Sequence, residues 1–362
     1  MSKKIGVICV ALGVFMLVLG GMSRWYAYDR LAVVPLDQNT TAQTAPDDDA
    51  PDDAARKRSQ SYGPDATYLK VTKDGASIET ADLQSVRTVV GDVEASKAAS
   101  EELDREIAIW ETYSFTNPLN DPDYSEERPL SGRIDRVAFD RHTGEAVECC
   151  DTTTQTGMDE NGDPRPPVEI VFKGQYFKLP FNTQKQDYLF WDGTLQDATP
   201  LVYEEEEEIG GLTTYRFKQT IEPTDVDRQA SFGERDKTAV PGSLIDMPGR
   251  PQVRTDRMYS NTRTLWIEPE TGVIVKAEED QLTTLDVDGE PVATITDVVI
   301  SYDEETVTAN ADTYSSLATQ LGLIRWIVPL VGLVLGLLLI GLGVLLIGRH
   351  GGSSRGRRVA VE

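Results

Sequence analysis

The chain has 362 residues, 40% of them hydrophobic, and a formal charge of −25 at pH 7 from 60 Asp and Glu against 35 Lys and Arg. That apolar content is enough for a proper core, while so acidic a surface repels nucleic-acid phosphates and anionic headgroups and suits solubility or the attraction of cations. Two histidines and three cysteines leave little room for imidazole or thiol chemistry.

Residues 1–4 are predicted to be a cytoplasmic N-terminus, followed by an uncharged run from Ile5 to Met22. Its length, about 27 Å as a helix, matches a hydrocarbon core of about 30 Å. A cleavable signal peptide is the alternative, but the run exceeds the usual apolar core of roughly 7 to 15 residues, and no A-x-A-like cleavage site follows. A second run, 326–347, predicts another transmembrane helix, and 348–362 a basic cytoplasmic tail. Lys3 and Lys4 precede the first span, and Arg349, Arg355, Arg357 and Arg358 follow the second, so both ends are expected inside the plasma membrane. Trp25 and Trp326 then fall at the same outer interface, where amphipathic rings settle. Gly6, Gly13 and Gly20 recur at seven-residue steps, as do Gly336 and Gly343, with Gly332 completing a G-x-x-x-G. Small residues on one face let two helices approach closely, although lipid-facing glycines of no consequence fit the same spacing.

The flanks hold six Lys or Arg against Glu362, so about −30 of charge falls on the extracytoplasmic stretch 23–325. Leu31–Pro35 is predicted as a short strand. Residues 40–58, rich in Asp, Ala and Pro, are predicted as a flexible acidic loop. Beyond it, β-rich runs such as Arg105–Phe115 and Leu212–Ile221 alternate or are enriched in Ile, Trp, Thr and Tyr, and Asp192-Gly193, 159–162 and Asp288-Gly289 mark turns. Ala95–Arg105 and the membrane-proximal 312–325 are the helical candidates, and Pro329 is expected to kink the second span near the interface. The expected fold is a membrane-anchored α+β protein, with a predominantly antiparallel β ectodomain between two transmembrane helices.

Val137–Val147 aligns without gaps on Leu265–Val275, each reading as strand, tight turn and strand around Gly144 or Gly272. Duplication of a β unit and convergence of two hairpins both account for it. Cys9 lies in the first span, so Cys149 and Cys150 are the exported thiols; a vicinal disulfide, two free thiols and an intermolecular bridge are all open. Zinc is disfavoured, because His142 is the one exported histidine, and it sits in a turn. Asp159, Asn161 and Asp163 resemble the start of a calcium loop, yet Ile170 stands where the bidentate Glu belongs, which leaves them weak candidates. Glu204–Glu208 is expected to be a solvated loop. No phosphate-binding loop, nucleophile elbow or dinucleotide fingerprint occurs, so no catalytic residue and no cofactor is assigned.

Phe139–Val147, Phe177–Phe181 with Gln186–Asp192, Thr214–Gln219 and Thr264–Lys276, together with the two-anchor frame, resemble the actinobacterial porin PorA family over nearly the whole chain. The resemblance implies a cell-envelope protein of high-GC Gram-positive bacteria and carries no catalytic residues over. A pore meets a physical objection: a barrel needs many lipid-facing alternating strands, whereas two uncharged helices enclose no channel. By topology alone, two inside termini and a large β-rich exterior domain resemble scavenger receptors of the CD36 type, an analogy that does not establish function. It suggests binding or transfer of an envelope lipid or other hydrophobic ligand, with the aromatics between Phe172 and Trp191 lining an apolar tunnel or simply filling a core. A porin, and a scaffold recruiting other envelope proteins, are the alternatives.

Overall fold

The computed structural model describes residues 2–39, 59–72, 75–157, 164–229 and 238–349. The chain divides into two compact units, Met1–Val33 with Ser316–Glu362, and Val34–Ser315. Helices α1 (Ser2–Met22) and α2 (Tyr28–Leu31) flank a π-helical turn at Ser23–Ala27; α3 is Val93–Leu103 and α4 Val226–Gln229. Helix α5 (Glu304–Gly322) is joined to α6 (Val328–Gly348) by a second π-helical turn at Leu323–Ile327.

In the first unit, α1 and α6 pack antiparallel through glycine. A Cβ on Gly6 would stand 2.9 Å from the Gly343 carbonyl, and one on Gly20 3.2 Å from Pro329 O. On the opposing helix, a Cβ on Gly332 would stand 2.7 Å from Met16 O. Backbone meets backbone along the seam, the close approach that only a missing Cβ permits. The two π-helical turns face each other: Ser23 Oγ donates to Ile324 O (2.7 Å) and Arg24 Nη1 to Arg325 O (3.3 Å). Widened turns free backbone carbonyls, and these side chains take them up. Pro329 lies in the first turn of α6 but inside the continuous helical run Glu304–Gly348, and Arg325 O, the carbonyl four residues before it, is taken up by Arg24 Nη1. Both helical runs, Lys3–Leu31 and Glu304–Gly348, are long and apolar enough to cross a membrane.

The second unit is one large antiparallel sheet. Its strands are β1 (Ser59–Thr72), β2 (Gly75–Gly91), β3 (Ile107–Pro118), β4 (Ser131–Asp140), β5 (Thr153–Thr156), β6 (Val168–Glu169) and β7 (Tyr188–Asp192). There follow β8 (Asp197–Ile209), β9 (Leu212–Asp225), β10 (Thr238–Val240), β11 (Val253–Ile267), β12 (Ile274–Val287) and β13 (Glu290–Tyr302). The order is β6-β5-β4-β3-β2-β1-β13-β12-β11-β9-β8-β7, with β10 on β11. One end of this order, β7, is tied to β4, two strands in from the other end, because bridges link Phe139 to Ala146, Glu145 to Gln175 and Gln175 to Phe190. The sheet therefore curls back on itself.

Two hairpins close on paired left-handed residues, Gly210-Gly211 (φ 57° and 79°) and Asp288-Gly289 (φ 54° and 86°), the backbone that two-residue turns of a twisted ladder require. Helix α3 begins two residues before the expected start, where Asp92 Oδ1 caps it by accepting from Ala95 N (3.0 Å). Three expectations are corrected. Leu31 ends α2 and residues 34–38 form no strand; Val34 N instead donates to Arg141 O (3.0 Å). Helix α5 starts at Glu304 rather than 312. Glu204–Glu208 is not a loop but lies inside β8, where Arg216 Nε and Nη1 reach Glu204 (3.0 Å) and Glu207 (3.2 Å) and its other amino group reaches Glu205. Trp266 Nε1 donates to Glu207 (2.7 Å) and Lys185 pairs with Glu206 (2.8 Å), so neutralised carboxylates sit on a ladder that isolated ones would disfavour.

Candidate functional site

The two repeated turns fold alike. Asp140 Oδ1 accepts from His142 N (2.9 Å), Thr143 N (2.8 Å) and Thr143 Oγ1 (3.1 Å). Glu268 accepts from Glu270 N (3.0 Å), Thr271 N (2.8 Å) and Thr271 Oγ1 (2.6 Å). Gly144 and Gly272 both take φ of 73°. The segment 174–183 spans the two turns: Phe181 N donates to His142 O (3.4 Å), while Leu179 N donates to Gly272 O (2.8 Å) and Thr183 N to Pro269 O (2.8 Å). Sequence alignment finds the turns, but not the strap that joins them.

The curled sheet lines a partly open cavity of about 590 Å³, to which the strap contributes Tyr176. Its wall is built by the two-residue period of the strands: Leu83, Ser85 and Arg87 on β2, and Ala277, Glu279 and Gln281 on β12, all face in. Apolar residues, among them Leu69, Val226, Leu265, Ile295 and Val298, are interspersed around it. Polar residues such as Ser85, Arg87, Ser114, Glu279 and Gln281 share the lining with them, so the wall is not the all-apolar tunnel expected. Of the aromatics in 172–191, Tyr176, Phe190 and Trp191 reach the cavity. Phe172 stacks on Trp191 (4.9 Å), and Phe177 packs with Trp110 (5.2 Å) and Phe139 (5.3 Å) in the core.

Arg263 dominates one wall. Its Nη2 lies 3.1 Å from Asp192 and its Nε 2.9 Å from Glu279, and Nη1 donates to Gln219 Oε1 and to Trp191 O (3.3 Å). Tyr259 donates to Asp192 (3.2 Å), and Asn261 and Gln281 donate to Glu279 (3.0 and 2.7 Å). Burial works to raise the Glu279 pKa, but the Arg263 guanidinium overrides it and holds the carboxyl below its ordinary value. Burial and the nearby Asp192 carboxylate push the Tyr259 hydroxyl well up, so it stays a donor. The charges of Arg263, Asp192 and Glu279 are mutually paired, while Asn261 Oδ1 and Trp191 Nε1 have no hydrogen-bond partner among the described residues.

Facing it, Arg87 Nε donates to Thr112 Oγ1 (3.1 Å), and its guanidinium lies 5.2 Å from the Tyr176 ring and 5.6 Å from that of Phe177. Arg133 Nη1 is 3.8 Å from Asp135, which also accepts from Tyr176 (2.6 Å) and Thr154 (2.5 Å). Burial, aided by Asp135, raises the Tyr176 pKa.

The remaining sequence candidates lie elsewhere. Cys149 and Cys150 are joined by a disulfide, packed beside Ile107, Ile109 and Ala99. Trp25 and Trp326 sit in the facing π-helical turns, largely exposed, with the Arg24 guanidinium 4.5 Å from the Trp326 ring. His142 is in its turn, 3.5 Å from Glu106. Asp159, Asn161 and Asp163, the loop 40–58 and the tail from His350 onward lie outside the described residues. Among the described residues, no cluster of three or more His, Cys, Asp or Glu is placed to hold a metal.

Two long apolar helices seamed by glycine, with a large antiparallel β unit folded around a cavity, define a membrane-associated protein with one substantial β domain. Residues 5–345 match the family described as Porin PorA, and the chain belongs to that family. It is similar to a Porin PorA of Corynebacterium amycolatum, 23% identical over 301 residues, which cover 77% of each chain. A Porin PorA of Corynebacterium resistens is 24% identical over 199 residues, 42% of this chain and 46% of that one. Family and helices together make this a membrane-associated protein of the cell envelope.

Proposed function

We propose that this is a non-enzymatic envelope protein, anchored with both termini cytoplasmic, whose extracytoplasmic β domain binds or passes on a lipid or other ligand with a hydrophobic part. The observation that carries this reading is the cavity. At about 590 Å³ it falls in the usual range for small-ligand sites, roughly 300 to 1,000 Å³, and its lining mixes apolar residues with several polar and charged groups. Native mass spectrometry of the full chain extracted in mild detergent tests it. A bound amphiphile recovered reproducibly is the expected result, and consistently empty protein counts against it.

A porin is the second reading, favoured by the names of the relatives and by the polar wall of the cavity. Against it, the positions that alternate with the inward residues of β12 include Glu278 and Asp280, and charged side chains facing lipid are costly. Single-channel recordings from purified protein distinguish the two, because a stable conductance favours the porin.

A further inference from the structure

The pairing registers place the inward residues of β2, β3 and β4 in two straight rows. Arg87 is opposite Ser114, and Ser114 is opposite Arg133; in the neighbouring row Ser85 is opposite Thr116, and Thr116 is opposite Ser131. All six line the cavity. The hydroxyl row runs on across β1 and β13, since Ser61 faces Ser85 and Tyr302 faces Ser61. Strands are spaced about 4.8 Å apart, so the two arginine Cα atoms stand about 10 Å apart with a hydroxyl between them, within reach of one tetrahedral anion held from both sides.

The guanidiniums around the cavity are unevenly paired. Arg263 has Asp192 and Glu279, Arg257 has Asp227 (2.7 Å), and Arg133 has Asp135. Among the described residues, Arg87 is the cavity-lining guanidinium with no carboxylate in salt-bridge range; its Nε is held by Thr112 and its plane by Tyr176 and Phe177. A guanidinium fixed in place but not neutralised, in a chain with 60 carboxylates, is an anchor awaiting an anion.

We infer that the rows Arg87–Ser114–Arg133 and Ser85–Thr116–Ser131 form a binding site for an oxyanion, a phosphate monoester or diester, inside the cavity. This rests on the reading of the cavity as a ligand site and adds the class of headgroup. The guanidiniums supply charge and forked donors, the hydroxyls donate to the remaining oxygens, and apolar lining residues such as Leu83 and Leu130 offer contacts to whatever chain the group carries. The acidic exterior does not forbid this, because electrostatic attraction in a partly buried site is set by the nearest groups and screened within about 8 Å at physiological salt.

Isothermal titration of the full chain in zwitterionic nanodiscs tests the site with three probes: hexyl phosphate, hexyl glucoside and inorganic phosphate. Hexyl phosphate is expected to bind, Arg87→Gln to weaken it about tenfold or more, and Arg87→Lys to recover part of the loss. Hexyl glucoside binding should not change in Arg87→Gln, which also shows that the variant keeps its cavity. Hexyl phosphate binding much tighter than inorganic phosphate places the anion on an amphiphile. Equal, Arg87-dependent binding of both keeps the anion site and removes the hydrophobic-ligand reading. Undiminished hexyl phosphate binding in Arg87→Gln, or no binding of either phosphate to the wild type, overturns the site, and hexyl glucoside binding then shows separately whether the cavity is a ligand site at all.

Discussion

Gly13 and Gly336 meet backbone to backbone: a Cβ on the first would stand 2.6 Å from the carbonyl oxygen of the second, and a Cβ on the second 2.8 Å from the carbonyl oxygen of the first. Neither helix can accept a methyl group there without moving apart. Gly13→Ala or Gly336→Ala is expected to lower the stability of the helix pair by about 1–3 kcal/mol, as overpacking does elsewhere. Gly341, where a Cβ would meet open space, is the control. Thermal unfolding of the full chain in detergent measures both, and an equal response at Gly341 and Gly336 would show that the seam is not packed as described.

Removing Arg263 strands two acids. Arg263→Met leaves Asp192 and Glu279 inside without their cation, and is expected to cost about 3–5 kcal/mol in chemical denaturation. The pH dependence has a definite sign. In the wild type, Glu279 titrates below the ordinary 4.5, so its contribution is present above that value and is lost as pH falls through the depressed one. In the variant, burial acts unopposed, the carboxyl takes up a proton more readily, and the deficit narrows on acidification. A deficit that stays constant down to about pH 5 would contradict this.

Lys178 carries a different burden. It is buried, its Nζ has no hydrogen-bond partner among the described residues, and it lies 3.2 Å from the centre of the Phe181 ring. Burial pushes its pKa well below 10.5, with only the Glu268 carboxylate acting the other way. Between the depressed folded value and 10.5 the unfolded chain binds one more proton, so stability rises with pH through that window. Lys178→Met is expected to abolish that slope and to be more stable at neutral pH by about 1–3 kcal/mol. Denaturation midpoints at about pH 7 and about pH 9 check it, and a slope that persists in the variant rules Lys178 out as its source.

The two turn glycines share a backbone conformation but not a neighbourhood. A Cβ at Gly272 would stand 2.1 Å from Leu179 O and 2.5 Å from Pro180 O, whereas at Gly144 the nearest atom is the side-chain Oε1 of Gln175, at 2.9 Å. Both Ala substitutions incur the left-handed penalty of about 1–2 kcal/mol and both press on the strap, but at Gly144 the nearest strap backbone atom, Lys178 O, stands 3.1 Å away, so Gly272→Ala must displace strap backbone much further. It is expected to be clearly the worse of the two in the same unfolding assay; equal losses would mean that φ alone decides.

How much of this was legible follows from the range of each signal. Charge-free runs and Asp288-Gly289 are local, so Ile5–Met22 and the last hairpin could be read directly. The strand character of Glu204–Glu208 could not, because it depends on Arg216, Lys185 and Trp266 arriving from other segments to neutralise and bind the carboxylates. Leu31–Pro35 misled for the opposite reason: its apolar residues suggested a ladder, but Val34 is satisfied by Arg141 alone, donating N–H to its carbonyl and accepting from its Nε. The cavity rows were out of reach entirely. Nothing in the spacing of Arg87, Ser114 and Arg133 along the chain indicates that registers of two hairpins set them side by side.

The middle of the sheet is a junction between its beginning and its end, since β1 pairs with β13, Ser61 opposite Tyr302. A ribosome delivers β1 more than two hundred residues before its partner exists, so until β13 arrives β1 and β12 each present an open edge. Folding of this domain is therefore gated by the last strand made. Truncation between Val287 and Glu290 should yield not a smaller domain but two half-sheets with exposed edges, a substrate for aggregation or proteolysis.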